Sequence, residues 1–398
     1  MSLWHASLIV CVAGLLYPFF LYPLILRIAV AWQSRSDRSN PNVAGREPIR
    51  LFTVIIPAHN EELVIGAKLA NTLKAARATG LPYEIVVASD CSDDHTCEIA
   101  KSYPEAKVLD IRQRGGILGA FRAGLAASDG EVVIFSDADI TVGEGTLRAM
   151  LRPFEGDPTV GGVCGCTLMR VQDASGLDVE QLNVAARSWT RYRQSQLDRL
   201  IGADGSNWAV RRKLIAFPAV PVIADDLVIP LEILRQGYQF TYEPSAIAYE
   251  VSPASVAQEF RRKVRTIAGG IEAGWRCQWM FTRRYWSIGF HYLSWKLMKY
   301  MVGVWVILAC AASAGLALEG SRLGQVLIGV GVVGLGVVGM AGALHSRVRG
   351  RAGKTLSAIW YLASISIAPI LAIVYLVRNH QSATWTMTPR APVSGKEG

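Results

Sequence analysis

Long uncharged apolar runs bracket this chain, and between them the pattern changes on a much shorter period. Ala6 to Leu26 carries no charge and is long enough to cross a bilayer, with Pro18 and Pro23 placed to kink it. Three more uncharged runs, Tyr300–Leu318, Leu323–Leu344 and Leu356–Val377, each have about the length that a bilayer core demands. The middle one is rich in glycine (Gly329, Gly331, Gly334, Gly336, Gly339), which invites close helix packing. A cleaved leader is a poor reading of the first run. Its positive charges (Arg27, Arg35, Arg38) follow the apolar stretch, and no small-x-small cleavage site is evident.

From Leu51 onward, short apolar strands alternate with helical patterns. Phe52–Pro57 reads as a strand that ends in Ala58-His59-Asn60-Glu61-Glu62, followed by a helix through Leu73. Glu84–Ala88 runs into Ser89-Asp90-Cys91-Ser92-Asp93-Asp94-His95-Thr96, and Lys107–Leu109 is a short third strand. Arg112-Gln113-Arg114-Gly115-Gly116 opens a helix through Ala127. Val132-Val133-Ile134-Phe135 is then a buried strand that emerges as Ser136-Asp137-Ala138-Asp139. This alternation predicts an α/β domain with a mainly parallel, Rossmann-like sheet flanked by helices. Each polar cluster follows a strand, so all of them gather at one sheet edge, where open α/β sheets bind ligands. Asp137 and Asp139 are two apart, so on extended backbone both carboxylates point to one side. Two hard oxygen ligands suit Mg²⁺ or Mn²⁺, which bind through one or two carboxylates plus substrate phosphates. The plain alternative is a turn with two solvated aspartates.

Composition strengthens the membrane reading. Of 398 residues 51% are hydrophobic and only 18% charged, too apolar for an ordinary soluble enzyme. The net charge of +9 suits nucleic acid or an anionic membrane surface, and the placement of the charges favours the membrane over nucleic acid. The seven cysteines are scattered, and Cys164-Gly-Cys166 has no second pair at zinc spacing, so neither a disulfide framework nor a zinc site is supported. The sequence has no repeats and no low-complexity tract.

Val54-Ile55-Ile56-Pro57-Ala58-His59-Asn60-Glu61-Glu62, Ser89–Thr96 and Ser136-Asp137-Ala138-Asp139 resemble the nucleotide-sugar motifs of family 2 glycosyltransferases, which have the GT-A fold. The resemblance runs from about Leu51 to about Gly270, with the motifs in the family's order and spacing. It implies that the turn with Pro57, Ala58, Asn60 and Glu61 lies under the uridine and that Asp90 hydrogen-bonds the base. It further implies that Asp137 faces ribose and metal and that Asp139 is the principal metal ligand. One departure stands out: the family often has Gly-Lys before the third helix, whereas Gly115-Gly116 has no lysine. Arg112 or Arg114 is left to supply that charge, unless the diphosphate is held differently.

Gly202-Ala203-Asp204-Gly205-Ser206-Asn207-Trp208 offers glycines that let backbone approach a ligand and a tryptophan face of the kind sugars stack on. The plain reading is a turn with a core tryptophan. The stretch also resembles the family's loop beside the donor sugar, which makes Gly205 a donor-binding residue. Asp226 is placed to be the N-cap of a helix over Leu227–Gln236, closed by Gly237, with Pro230 tolerated in the first turn. The same segment resembles the family's acidic pair, which implies Asp226 as the general base with Asp225 beside it. A carboxylate within reach of the acceptor hydroxyl removes its proton as it attacks.

Phe260, Val264, Ile267, Ile271 and Trp275 share one face of a helix whose other face is basic, the pattern of an interfacial amphipathic helix. In processive relatives (cellulose, chitin and hyaluronan synthases) this segment reads Gln-x-x-Arg-Trp. Here the corresponding residues are Arg262, Arg265 and Thr266. Guanidinium matches phosphate geometry, so Arg262 and Arg265 are placed to clamp the diphosphate, with lipid headgroups as the alternative partner. Trp286, Tyr292 and Trp295 are expected in an interfacial belt.

The expected organisation is a transmembrane helix over 1–32, a linker over 33–50 and a cytoplasmic GT-A domain over 51–255. Interfacial helices over 256–296, three transmembrane helices over 297–378 and a flexible tail over 379–398 follow. By the positive-inside rule the amino terminus lies outside, and the loop with Arg347, Arg349, Arg351 and Lys354 lies inside an inner cell membrane. The implied function is metal-dependent, inverting transfer of a sugar from a nucleotide diphosphate donor, a UDP-sugar by the resemblance. The acceptor would be a lipid-linked or membrane-proximal glycan, in association with a polysaccharide assembly machinery and without processive elongation. The competing readings are a processive synthase and an inactive nucleotide-sugar-binding subunit.

Overall fold

The computed structural model describes residues 2–36, 48–170, 179–251, 256–344, 348 and 350–378. Most of the expected linker, the expected tail, Arg38, Arg347 and Arg349 lie outside the described residues. The chain forms two compact units, Met1–Arg27 with Ser255–Trp275 and Gly289–His380, and Ile28–Ala254 with Arg276–Ile288 and Gln381–Gly398.

The first helix, α1 (Leu3–Leu16), runs through a π-helical turn at Tyr17–Leu21 into α2 (Tyr22–Ser36). The wide turn absorbs Pro18 and Pro23 without a break, so Leu3–Gln33 stays one apolar helix of 31 residues.

The second unit holds β1 (Phe52–Ala58), α3 (Ile65–Arg77), β2 (Tyr83–Asp90), α4 (Thr96–Lys101), β3 (Ala106–Ile111) and α5 (Gly116–Ala126). It continues with β4 (Val132–Ser136), β5 (Ile140–Val142), α6 (Thr146–Gly156), β6 (Val160–Arg170) and α7 (Val179–Gln196). β7 (Asn207–Arg211), α8 (Asp225–Arg235) and β8 (Gln239–Val251) complete it. β1 and β4 are buried along their whole length, as strands covered on both faces must be. Pro57 sits where β1 still pairs with β2 but has run past the end of its pairing with β4, so its missing N–H disturbs one ladder only.

The eight strands are ordered β3-β2-β1-β4-β7-β6-β8-β5. β3, β2, β1 and β4 are parallel, as the sequence pattern predicts, while β7 and β5 run antiparallel to their neighbours. β4 and β5 are joined only by Asp137-Ala138-Asp139, yet β5 is the far edge of the sheet and three strands lie between them. In a flat sheet those strands would be about 19 Å apart at roughly 4.8 Å per strand. The chain from Ser136 to Ile140 reaches at most about 14 Å. The sheet is therefore curled back on itself around the Asp-x-Asp turn. Two register shifts between β6 and β8, at Val160/Gly162 and Cys164/Cys166, supply the bend.

The remaining helices are α9 (Val256–Arg276), α10 (Trp286–His291), α11 (Met298–Tyr300), α12 (Val302–Leu318), α13 (Arg322–Leu344) and α14 (Gly350–Arg378). Leu3–Gln33 and α13 are each long and apolar enough to cross a membrane. α12 has 17 residues and is bent 62° from the helix before it, so it makes a third span only together with that helix. The belt expected from Trp286, Tyr292 and Trp295 is corrected. Trp286 is 51% exposed, whereas Tyr292 and Trp295 are buried within their unit. Tyr292 Oη donates to the Gly270 carbonyl (2.7 Å), and Trp295 lies under the Lys299 ammonium at 3.2 Å. Pairing of this kind, with Tyr22 Oη against His291 Nδ1 (2.8 Å) and Tyr17 Oη against Ser294 Oγ (2.8 Å), satisfies polar groups among apolar helices.

Candidate active site

The carboxyl ends of β1, β2 and β4 lie on one sheet edge, because Pro57 is level with Ala88, and Ile55 with Phe135. The loops that leave β1 and β2 are stitched together by side chain to backbone bonds. Asn60 N–H donates to Ser92 Oγ (3.2 Å), Glu61 N–H to Thr96 Oγ1 (2.7 Å) and Glu62 N–H to Asp94 Oδ2 (3.1 Å). In return Asp93 N–H donates to Asn60 Oδ1 (2.8 Å) and His95 N–H to Glu62 Oε2 (3.1 Å). Asn60 and Cys91 adopt left-handed backbone (φ 55 and 58) at the two bends, strain that surrounding bonds must hold in place. Pro57, Ala58 and Glu61 are buried, and Asn60 is half-buried.

Asp90 is 4% exposed, and its two oxygens accept the backbone N–H groups of Gly115 (2.7 Å) and Gly116 (2.8 Å). It thus anchors the start of α5, where Gly116 has φ 68. The resemblance implies a bond from Asp90 to the base; the two anchoring bonds to α5 are a further role. Each oxygen keeps a further acceptor position, so the two roles are compatible. Arg112 is paired with Asp110 (2.6 Å) and its side chain is 87% exposed.

The Asp137–Asp139 turn is the electrostatic centre of the edge. Asp137 Oδ1 is buried without a hydrogen-bond partner. Burial, reinforced by the Asp139, Asp225 and Glu250 charges, pushes the Asp137 carboxyl well above the ordinary carboxylate range, against the pull of Lys68. Lys68 on α3 is 3% exposed, and burial brings its ammonium down to about 8 although Asp137 and Asp139 oppose the fall. Its Nζ donates to Ser136 Oγ (2.7 Å) and to the Ile140 carbonyl (2.8 Å). Neither Lys68 nor Glu250 was singled out from sequence. Lys68 had a legible signal, since it occupies the apolar face of α3 with Ile65, Leu69, Thr72 and Ala76. Glu250 had none, because a long-range pairing, Ile140 with Glu250, brings it there.

Antiparallel pairing of Ser136 with Asn207 carries the loop before β7 to the same place. That loop is fastened to α8 by Ala203 N–H donating to the Asp226 carbonyl (2.7 Å). A Cβ on Gly205 would stand 3.5 Å from Asp226 Oδ2, so the glycine lies directly against that carboxylate. Gly205, Asp225 and Asp226 therefore join Asp137 at one edge. The cap differs from expectation: Ala224 is the N-cap and both aspartates lie in the first turn, where the helix dipole favours their charge. Pro230 is accordingly past the first turn. It is four residues beyond Asp226, so it removes the N–H that would occupy the Asp226 carbonyl and leaves that acceptor to Ala203.

Asp204 in the same loop is paired with Arg191 of α7 (2.9 Å). Burial works against its charge, but the Arg191 and Arg187 guanidiniums prevail and hold the carboxyl at about 2. The tryptophan face expected to stack on a sugar is instead core. Trp208 is 0% exposed and lies against Phe135 (ring centroids 4.3 Å), which lies against Phe121 (4.4 Å). Stacks of this kind contribute about 0.5–1.5 kcal/mol per pair beyond burial. Arg262 and Arg265 belong to α9 in the other unit, where Arg262 is paired with Glu259 (2.8 Å).

Known proteins resemble this chain in sequence and in fold. Residues 53–216 match the sequence profile of glycosyl transferase family 2. The probable glycosyltransferase YdaM of Bacillus subtilis (strain 168) is 25% identical over 284 residues, 67% of this chain and 66% of its own. The poly-beta-1,6-N-acetyl-D-glucosamine synthase of Staphylococcus aureus (strain COL) is 23% identical over 231 residues, 56% of this chain and 55% of its own. The chain thus spans between about half and two-thirds of the length of these curated relatives. Among solved structures, the mannosyltransferase PcManGT from Pyrobaculum calidifontis, in complex with GDP-Man and Mn²⁺, shares the fold with a TM-score of 0.65 and 22% identity. That match covers 95% of this chain and 100% of the other. Residues 53–216 thus match glycosyl transferase family 2, and the curled sheet with the acidic turn at its centre has the GT-A fold.

Proposed function

We propose that this chain is a membrane-anchored, inverting hexosyltransferase that moves one sugar from a nucleotide diphosphate donor to a lipid-linked or membrane-proximal acceptor. The observation that carries the reading is the seating of the Asp226 carboxylate against Gly205, in the loop that pairing brings beside Asp137. That arrangement supports a proton acceptor on one side of a donor sugar whose leaving group is held on the other.

A divalent cation fits the Asp137–Asp139 turn. The donors are hard oxygens, one of them is buried and unpartnered, and acidic neighbours surround it. Among the described residues no three His, Cys, Asp or Glu side chains converge as a ready-made cage, in keeping with an ion that takes the rest of its shell from phosphate and water. When bound, Mg²⁺ or Mn²⁺ neutralises charge on the leaving diphosphate. Asn60, Glu61 and Asp90 would bind the nucleoside, with Pro57 and Ala58 forming the floor beneath it. Asp226 would take the proton of the acceptor hydroxyl as that oxygen attacks the anomeric carbon from the face opposite the diphosphate, which gives inversion. Asp225, close enough to act on Asp137, would hold the field between the two sites. Arg262 and Arg265 remain candidates for the diphosphate or for lipid headgroups.

The donor base follows the resemblance to uridine-binding motifs, with a GDP-sugar as the competitor because the mannosyltransferase above is in complex with GDP-Man. Thr266 in place of tryptophan supports single transfer. The synthase named among the relatives favours a second reading, processive elongation, and product length at saturating donor separates the two. The test of the reaction is nucleoside diphosphate release by detergent-purified full-length protein over UDP- and GDP-sugars, with Mg²⁺ or Mn²⁺ and a lipid extract. We expect one donor to be used, with Asp139→Ala and Asp226→Asn each lowering the rate by about 10²–10⁴-fold. Donor binding without release across the panel would instead identify an inactive binding subunit.

A further inference from the structure

α3 holds the Asp137–Asp139 turn through two side chains one helical turn apart. Lys68 Nζ bonds Ser136 Oγ at the end of β4 and the Ile140 carbonyl at the start of β5, so one ammonium ties together both ends of the turn. Asn71 serves the next residues like a strand: its Nδ2 donates to the Val142 carbonyl (3.0 Å) and its Oδ1 accepts the Val142 N–H (2.9 Å). Among the described residues β5 is an edge strand of three residues with β8 as its one strand neighbour, and the Asn71 amide pairs on its other side. Three residues and one neighbouring strand are a weak support for a turn that must hold two carboxylates a fixed distance apart.

We propose that Lys68 and Asn71 are positioning residues that fix the Asp137–Asp139 turn for a divalent cation, an inference that rests on the cation reading given above. The buried lysine makes the proposal decidable, because charge and geometry predict opposite signs. If Lys68 acts only through its charge, it repels a cation, and Lys68→Met tightens Mn²⁺ binding while Asn71→Leu changes nothing. If it fixes the turn, both substitutions weaken binding, by about 10-fold or more, as losses of outer hydrogen bonds around metal ligands do.

The measurement is the free Mn²⁺ electron paramagnetic resonance signal during titration of detergent-purified full-length protein, with UDP or GDP present. Asp139→Ala is the blank and thermal melting the control for folding. Weaker Mn²⁺ binding by both variants, with cooperative melting retained, supports the proposal. Unchanged or tighter binding by Lys68→Met overturns it. Should Lys68→Met fail to melt cooperatively, Asn71→Leu decides alone: weaker binding supports positioning and unchanged binding refutes it. If the wild-type protein holds no more Mn²⁺ than Asp139→Ala, the cation reading itself fails and the positioning role falls with it.

Discussion

At the scale of single residues, the acidic edge depends on which charges are answered and which are not. Asp204 is answered: it faces Arg191 and Arg187 and ionises far more readily than a free carboxyl. Its folded value lies below its unfolded value, so the unfolded chain takes up the proton first as pH falls. The stabilisation, about 2 kcal/mol, is present above roughly pH 4 and is lost as pH falls toward 2. Asp204→Asn would leave Arg191 buried without its counter-charge. We expect a loss of about 3 kcal/mol at neutral pH, read as a lower melting temperature. The gap between variant and wild type should narrow below pH 4, and a gap that stays constant down to pH 3 would show that the pair does not set the loop's stability. Asp137 is the opposite case: one of its oxygens is buried with no protein hydrogen-bond partner, and such an atom is satisfied by water or an ion.

At the scale of elements, α8 links two parts of the site through a missing donor. Restoring an N–H with Pro230→Ala would let the helix close on the Asp226 carbonyl and compete with Ala203 for it. One such bond is worth about 0.5–1.5 kcal/mol, so kcat/KM for the donor should fall about 3- to 10-fold while the melting temperature holds or rises. An unchanged kcat/KM would make the Ala203 bond incidental to catalysis. How far the elements could be read from sequence follows their locality. β1, β2, β3 and β4 alternate with their helices, and each polar cluster after a strand was legible because a parallel sheet sends all its carboxyl ends to one edge. β6, β7 and β8 find each other over long separations, with β7 running against both of its neighbours, and no local pattern encodes that. Trp208 fails for a related reason: its composition is the same in a sugar platform and in a core, and only the neighbouring Phe135 on β4 decides. Asp226 was rightly read as opening a helix, but Ala224 caps it, an offset that sequence rules resolve only to within a residue or two.

At the scale of the whole chain, charge and apolar length together give a topology that can be tested apart from catalysis. Arg27, Arg35 and Arg38 follow the first span, whereas the turn between α12 and α13 has only Glu319 and Arg322. Arg347, Arg349, Arg351 and Lys354 then precede the last apolar run. If the bent helices ending in α12 cross together and α13 returns, both basic clusters face one compartment, and the positive-inside rule makes it the cytoplasm. The unit with the Asp137–Asp139 turn, entered directly after the first cluster, is then expected on the cytoplasmic side. An epitope inserted between Gly320 and Ser321 should be labelled in intact spheroplasts, and one after Arg349 only once the membrane is opened. The bend of 62° sharpens this test, because a re-entrant pair that does not cross would put the two epitopes on opposite sides from those expected. Labelling at Gly320 only after permeabilisation would therefore reject the spanning pair and, with it, the assignment of the basic clusters to one compartment.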